Sequence, residues 1–399
     1  MSIISDSLKR IKPSPTIAVT QKARELRAAG KDVIGLGAGE PDFDTPDNIK
    51  DAAIKAIKKG DTKYTAVDGT PILKQAIVDK FKRENNLNYT TAQITVGAGG
   101  KHVIYNLMMA TLNKGDEVII PAPYWVSYPD IVLLAGATPI VVECSEEQGF
   151  KLTAKDLEAA ITNNTKWVIL NSPSNPTGGV WSDQAIYQLL DLCKKRKDIW
   201  IFSDECYEQL TYNQKFKSIA SYTAENNNII TFQSCSKTYA MTGWRIGYIG
   251  ANVKISKAIS KLQGQSTSCP NSIAQYAASE ALLGDQSCVE KMRSVFLNRR
   301  DLILSKIKEM PHAVCQTPQG AFYVFVDFSY YLNSKQKNGD LIKNSNDLCL
   351  YLLESTGVVS VSGDSFGADG YIRFSYATSN EIIVKAMNLT KKALKNLSF

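Results

Sequence analysis

Apolar residues recur along this chain in short, nearly unbroken runs. Seven of them, at 93–96, 117–120, 138–142, 167–170, 199–202, 229–232 and 246–249, have the length and β-branched content of strands. Continuous rather than alternating apolarity predicts strands covered on both faces. Most intervals between them hold helix-length stretches. At 71–85, Thr70 stands as N-cap, Pro71 takes the first helical position, and Leu73, Ala76, Ile77 and Phe81 share one face. Further helices are expected at 46–59, 100–112 and 183–197, with a short one at 19–29 ending at Gly30. The alternation predicts an α/β fold, three layers built on a mostly parallel sheet.

Past residue 285 the pattern changes. A long helix over 285–310 stops at Pro311. Short strands at 321–327, 358–361 and 371–374 then mix with helices at 346–356 and 380–396, and 333–346 reads as a polar loop insertion. The expected division is a large domain over 45–290 and a smaller α+β domain over 291–399, which the N-terminal arm (1–44) joins in part.

A length of 399 residues, 44% apolar and 21% charged, suits a globular protein of two or three domains. The net charge, 46 − 39 = +7, is spread without a basic block, which favours small anionic ligands over nucleic acid. With only His102 and His312, zinc sites of the HExxH or three-histidine kind are excluded, and neither histidine stands near a G-x-S-x-G elbow. Eight cysteines without a C-x-x-C pair read as reduced thiols. No apolar leader follows the start, and the most apolar stretch, 118–142, is broken by Pro121, Pro123, Pro129 and Asp130. A cytoplasmic protein without a membrane span is expected.

Chemistry concentrates after the strand at 229–232, in Ser234-Cys235-Ser236-Lys237-Thr238-Tyr239-Ala240-Met241-Thr242-Gly243-Trp244-Arg245-Ile246-Gly247. A lysine chosen at random is usually a solvated surface charge. This one follows a buried strand among small and apolar residues, where desolvation makes an amine nucleophilic. Serine hydroxyls and the Arg245 guanidinium beside it suit a phosphate dianion. A second anion site is Val96-Gly97-Ala98-Gly99-Gly100-Lys101, where glycines before a helix let backbone N–H groups approach a phosphate. Taken alone it is better explained as a tight turn, and it matches neither G-x-G-x-x-G nor the P-loop. Asp204 ends the strand at 199–202, the ligand crevice of an open α/β sheet, although it serves equally well there as a helix cap. Asn175-Pro176-Thr177-Gly178 is by itself a turn signal. Together these pieces are what pyridoxal 5'-phosphate requires: Lys237 for its aldehyde, the glycine loop, Ser234 and Arg245 for its phosphate, and Asp204 for its pyridine nitrogen.

The chain resembles the class I aminotransferases of the pyridoxal-phosphate fold type I over essentially its whole length. The lysine signature from Ser234 to Gly247 fits at every restricted position. Asn175-Pro176-Thr177-Gly178, Asp204 with Tyr207, and Tyr371-Ile372-Arg373-Phe374-Ser375-Tyr376-Ala377 follow in family order. Lys12-Pro13-Ser14-Pro15-Thr16 and Gly37-Ala38-Gly39-Glu40-Pro41-Asp42-Phe43 are similar to the bacterial aspartate aminotransferase branch, some of whose members also accept prephenate.

The resemblance implies that Lys237 binds the cofactor aldehyde and shuttles the proton, and that Asp204 pairs with the pyridinium. Tyr207 and Asn175 would bond the phenolic oxygen, and Trp125 would stack on the ring. Gly99, Gly100, Ser234 and Arg245 would hold the phosphate, joined by Tyr64 of a partner subunit in a homodimer with shared sites. Arg373, with the Gly39 backbone, would clamp the substrate α-carboxylate, and Lys101 and Lys12 are candidates for a second carboxylate. Gly100 stands where many relatives carry a hydroxyl. The expected reaction is ping-pong transamination between aspartate or glutamate and 2-oxo acids such as 2-oxoglutarate, oxaloacetate and prephenate. The rival on the same scaffold is a carbon–sulfur lyase or aminocyclopropanecarboxylate-synthase-like enzyme. A cofactor-binding transcription regulator is disfavoured, because no helix-turn-helix precedes the large domain.

Overall fold

The structure is a computed structural model that describes residues 3–13, 15–196, 198–223 and 228–399, with the side chains of 15–20 outside the description. Strand β1 (Ile34–Gly35) lies apart from the main sheet. That sheet comprises β2 (Ile94–Ala98), β3 (Glu117–Ala122), β4 (Thr138–Glu143), β5 (Thr165–Asn171), β6 (Trp200–Asp204), β7 (Ile229–Ser234) and β8 (Ile246–Gly250). All seven apolar runs are therefore strands. Their spatial order is β2-β8-β7-β6-β5-β3-β4. β8 runs antiparallel to both neighbours, and every other pair is parallel.

Successive residues feed opposite faces. Val168 and Leu170 of β5 join one apolar cluster with Leu73, Ile77 and Phe81. Trp167 and Ile169 join another with Val103, Leu107 and Ile259. Two helical layers thus sandwich the sheet, and burying both faces is what made the strands unbroken apolar runs. The edge strand β4 departs from that expectation. Its residues are half-buried or exposed, as the last strand of the sheet order, with a neighbour on one side only.

Helix Pro71–Asn85 forms as its pattern predicts: Thr70 Oγ1 accepts the Leu73 N–H, and Asn86 closes the end in a left-handed conformation. The first long helix starts earlier than the apolar pattern suggests, at Pro15–Ala28, and the helix at 183 stops at Lys195. Helices Tyr128–Leu134, Val253–Gln263 and Ser272–Leu283 have no counterpart in the pattern reading. The last of these is alanine-rich and buried on most sides, so it presents no polar face.

The C-terminal part holds β9 (Val314–Cys315), β10 (Tyr323–Asp327), β11 (Val358–Val359), β12 (Val361–Ser362) and β13 (Tyr371–Ser375). The run at 358–361 is not one strand. β11 pairs in parallel with β1, whereas β12 joins the antiparallel sheet β12-β13-β10-β9. Helices Ser287–Ile307, Ser345–Thr356 and Asn380–Leu394 contribute to its core. The segment after β1 bridges the two sheets. Ser375 N–H donates to the Leu36 carbonyl, and Arg299 of the long helix grips Asp42 with two bonds of 2.7 and 2.9 Å. Residues 37–40 are thereby delivered to the carboxyl ends of β6 and β7. Among the described residues no helix is long and apolar enough to cross a membrane.

Candidate active site

The carboxyl ends of β5, β6 and β7 open into a cavity of about 390 Å³, the crevice position expected of an open α/β sheet. Asp204 sits at the end of β6, buried. Its Oδ1 accepts the Cys206 N–H at 3.1 Å and its Oδ2 accepts the Tyr128 hydroxyl at 2.5 Å. Burial outweighs these bonds and pushes its carboxyl up to about 6. Such a group is poised to pair with a cation delivered into the cavity.

Lys237 follows β7 in a one-turn helix, Cys235–Thr238, and donates to the Gly39 carbonyl. Desolvation lowers its ammonium below the ordinary lysine range, and the Arg373 and Arg245 guanidiniums add to this, against Cys206 and Glu40. Desolvation of this kind favours the neutral, nucleophilic form of the amine.

The anion-binding end is built by close backbone approach. Gly99 has φ +94°, and a Cβ there would lie 2.3 Å from an Arg245 guanidinium nitrogen. A Cβ on Gly247 would come within 2.6 Å of the Gly100 nitrogen. Arg245, itself left-handed at φ +59°, donates to the Thr242 carbonyl at 2.8 Å. Gly100 opens helix Gly100–Thr111, with its N-terminus at the cavity. The Ser234 hydroxyl lies 3.0 Å from the Ile246 carbonyl and accepts the Ser236 N–H at 3.1 Å.

At the opposite end Arg373, buried on β13, donates to Asn175 Oδ1 at 2.8 Å and to the Gly37 carbonyl at 2.9 Å. Among the described residues its buried Nε has no hydrogen-bond partner. Trp125 meets Tyr128 edge-on with ring centroids 5.2 Å apart, and Lys101 Nζ stands 5.2 Å over the Trp125 ring. Burial, then Arg245, lowers the Lys101 ammonium.

Of the residues singled out in the sequence, Gly39, Gly100, Lys101, Trp125, Asn175, Asp204, Tyr207, Ser234, Lys237, Arg245 and Arg373 all line this cavity. Gly99 lies behind Arg245. Lys12 is exposed on the arm and Tyr64 is 91% exposed, and neither reaches the cavity within one chain. Sequence reasoning passed over Glu40, Tyr128, Phe232 and Tyr323, which also line it. Tyr128 carried a usable signal, being an aromatic three residues after Trp125 just before Pro129. Tyr323 was hidden inside an apolar strand run.

Comparison with known proteins now decides the family. Residues 31–387 match the family described as aminotransferase class I and II. The chain belongs to it. The aspartate/prephenate aminotransferase of Cereibacter sphaeroides is 53% identical over 97% of both chains. A probable aspartate/prephenate aminotransferase of Rickettsia felis is 51% identical over 100% of this chain and 98% of its own length. Among solved structures, the aspartate aminotransferase from Rhizobium meliloti superposes with a TM-score of 0.96 at 43% identity, covering 100% of both chains. That of Thermus thermophilus with maleate gives 0.92 at 39%, covering 98% of this chain and 100% of the other.

The enzyme is accordingly a pyridoxal-phosphate-dependent aminotransferase, and the lyase alternative is not favoured. The cavity fits that cofactor. It combines a cradle from which side chains are excluded at Gly99 and Gly247, a buried carboxyl at Asp204 and a desolvated lysine.

Proposed function

We propose that the enzyme moves an amino group between aspartate or glutamate and 2-oxo acids, namely 2-oxoglutarate, oxaloacetate and prephenate. Pyridoxal phosphate, when bound, would supply an aldehyde to take up the amino group and an electron-withdrawing ring to stabilise negative charge at the substrate Cα. Arg245, Ser234, Gly99 and Gly100 hold the phosphate, Asp204 keeps a proton on the ring nitrogen, and Tyr207 and Asn175 bond the phenolic oxygen. Trp125 covers the ring. Lys237 Nζ moves the proton at the substrate Cα. Arg373, braced by Asn175 and the 37–39 backbone, clamps the α-carboxylate. Lys101, a cation in the cavity with no ion-pair partner among the described residues, takes the second carboxylate, and Lys12 of the arm assists.

What carries the reading is the meeting of a desolvated lysine, a buried carboxylate and an incompletely bonded arginine in one cavity. The names of the relatives support the substrate choice. We further assign the enzyme to the cytoplasm, consistent with eight free cysteines, with an arm at 1–44 and domains at 45–290 and 291–399. It acts as a homodimer in which Tyr64 completes the partner's phosphate site. The test is a screen of aspartate, glutamate, alanine and aromatic amino acids against 2-oxoglutarate, oxaloacetate and prephenate. Aspartate with 2-oxoglutarate should lead. Alanine turning over fastest would overturn the dicarboxylate reading, and Lys237→Ala retaining near wild-type turnover would overturn the mechanism.

A further inference from the structure

Tyr323 holds none of the roles assigned above, yet it touches three of the residues that do. It is fully buried at the start of β10. Its hydroxyl lies 2.8 Å from that of Tyr207, and the Arg373 guanidinium stands 4.4 Å over its ring. A Cβ on Gly39 would come within 3.2 Å of the same hydroxyl. Strand register explains the meeting. Arg373 lies opposite Phe325 and Ser375 opposite Tyr323, so Tyr323 and Arg373 are diagonal neighbours on one face of the sheet.

Two phenols joined by one hydrogen bond hold two protons, and only one of these lies between them. Among the described residues neither hydroxyl has a second hydrogen-bond partner. Burial raises both phenols, and the Arg373 guanidinium opposes this at each. Tyr207 has one proton, which its proposed role commits to the phenolic oxygen in the cavity that both residues line. The bond between the two hydroxyls, 2.8 Å long, is then donated by Tyr323.

We propose that Tyr323 is a positioning residue that couples the carboxylate clamp at Arg373 to the cofactor-facing hydroxyl of Tyr207. The inference rests on the proposed roles of Tyr207 at the phenolic oxygen and of Arg373 at the α-carboxylate. A carboxylate arriving at Arg373 offsets the guanidinium charge and makes Tyr323 a weaker donor. Because hydrogen bonds in a chain polarise one another, the bond that Tyr207 donates into the cavity weakens with it. Filling of the clamp is thus felt at the Tyr207 hydroxyl by a route separate from Asn175, which bonds Arg373 directly.

The test is Tyr323→Phe, which keeps the ring on Arg373 and removes only the hydroxyl. The visible absorbance of the cofactor-loaded enzyme is titrated against pH, with and without succinate as an unreactive dicarboxylate. A weaker donor at the phenolic oxygen leaves more electron density on the ring, so the ligand-free midpoint should rise by about half a unit. The shift induced by succinate should shrink, and Tyr207→Phe/Tyr323→Phe should titrate as Tyr207→Phe alone. Midpoints and succinate response equal to wild type would overturn the inference, as would a lowered thermal midpoint with no change in absorbance. An effect of Tyr323→Phe that persists in the Tyr207→Phe background would do the same. If borohydride fixes no cofactor on Lys237 of the wild type, the underlying reading fails instead.

Discussion

Gly100 and Phe232 share one piece of space. A Cβ on Gly100 would lie 2.6 Å from the end of the Phe232 ring, and the Gly247 backbone closes in from the other side. Gly100→Ser should therefore weaken cofactor binding about tenfold, since overpacking costs roughly 1–3 kcal/mol. Gly100→Ser/Phe232→Val should bind at least as tightly as wild type in a fluorescence titration of the cofactor-free protein. Tighter binding by the single variant would contradict this steric account. Asp204 gives a second prediction at this scale. Its carboxyl is raised to about 6 by burial, so the fold favours its protonated form. That contribution is fully present below the ordinary carboxylate range and is lost as pH climbs through about 6, leaving a cost of about 3 kcal/mol at neutral pH. Glu205, pushed up to about 7 by burial, acts with the same sign. Cofactor-free Asp204→Asn should accordingly resist urea better than wild type at pH 8 and not at pH 4, where the two should converge. Cofactor loading at pH 8 should stabilise wild type more than the variant.

Behind the site, elements are tied together by a buried polar network. Glu205 accepts from Ser203, Ser218 and the Ile219 N–H through one oxygen, and from Gln233 of β7 through the other. Gln233 and Glu208 both accept from Lys80, a residue only 2% exposed on helix Pro71–Asn85. The strand ends that carry Asp204 and Ser234 are thus locked to a helix on the face away from the cavity. Lys80→Met strands the buried Glu208 carboxylate and should cost roughly 3–5 kcal/mol in urea unfolding, most of it recovered by Lys80→Met/Glu208→Gln. A single variant as stable as wild type would show the network to be incidental. Lys80 also marks where sequence reading stops. The stripe Leu73, Ala76, Ile77 and Phe81 announced the helix, and Lys80 falls on that stripe, but a lysine there looks solvated until its partners, 128 and 153 residues further on, are known. The seven main strands were legible because double burial makes them continuously apolar. Lys237, Asp204 and Arg373 were legible because each stands at a strand or strand end in a distinctive string. Tyr323 and Phe232 were not, because their meaning comes from sheet register and from contacts across the cavity.

At the scale of the whole molecule, the chain presents an apolar surface outside the lining of its cavity. Ile54, Ile57 and Leu283 are about half exposed on adjoining helices, and Tyr64 projects with 91% exposure on the segment that follows the first of them. A tyrosine so exposed, with no role in its own site, is accounted for by the proposed dimer, in which it reaches the partner's phosphate. Two-fold symmetry turns this into a complementation test. Tyr64→Ala should bind cofactor poorly, and Lys237→Ala should bind it without turnover. In a hybrid dimer, the Lys237 of the Tyr64→Ala chain receives the intact Tyr64 of the other, so one of two sites is complete. Refolding equal amounts together at limiting cofactor should restore about a quarter of wild-type activity, because half of randomly assorted dimers are hybrids with one good site each. Ile57→Glu, which places a charge on the apolar face, should abolish this recovery and shift sedimentation toward monomer. If the mixture is no more active than the mean of its parts while sedimentation still shows dimers, Tyr64 serves its own chain and the sites are not shared.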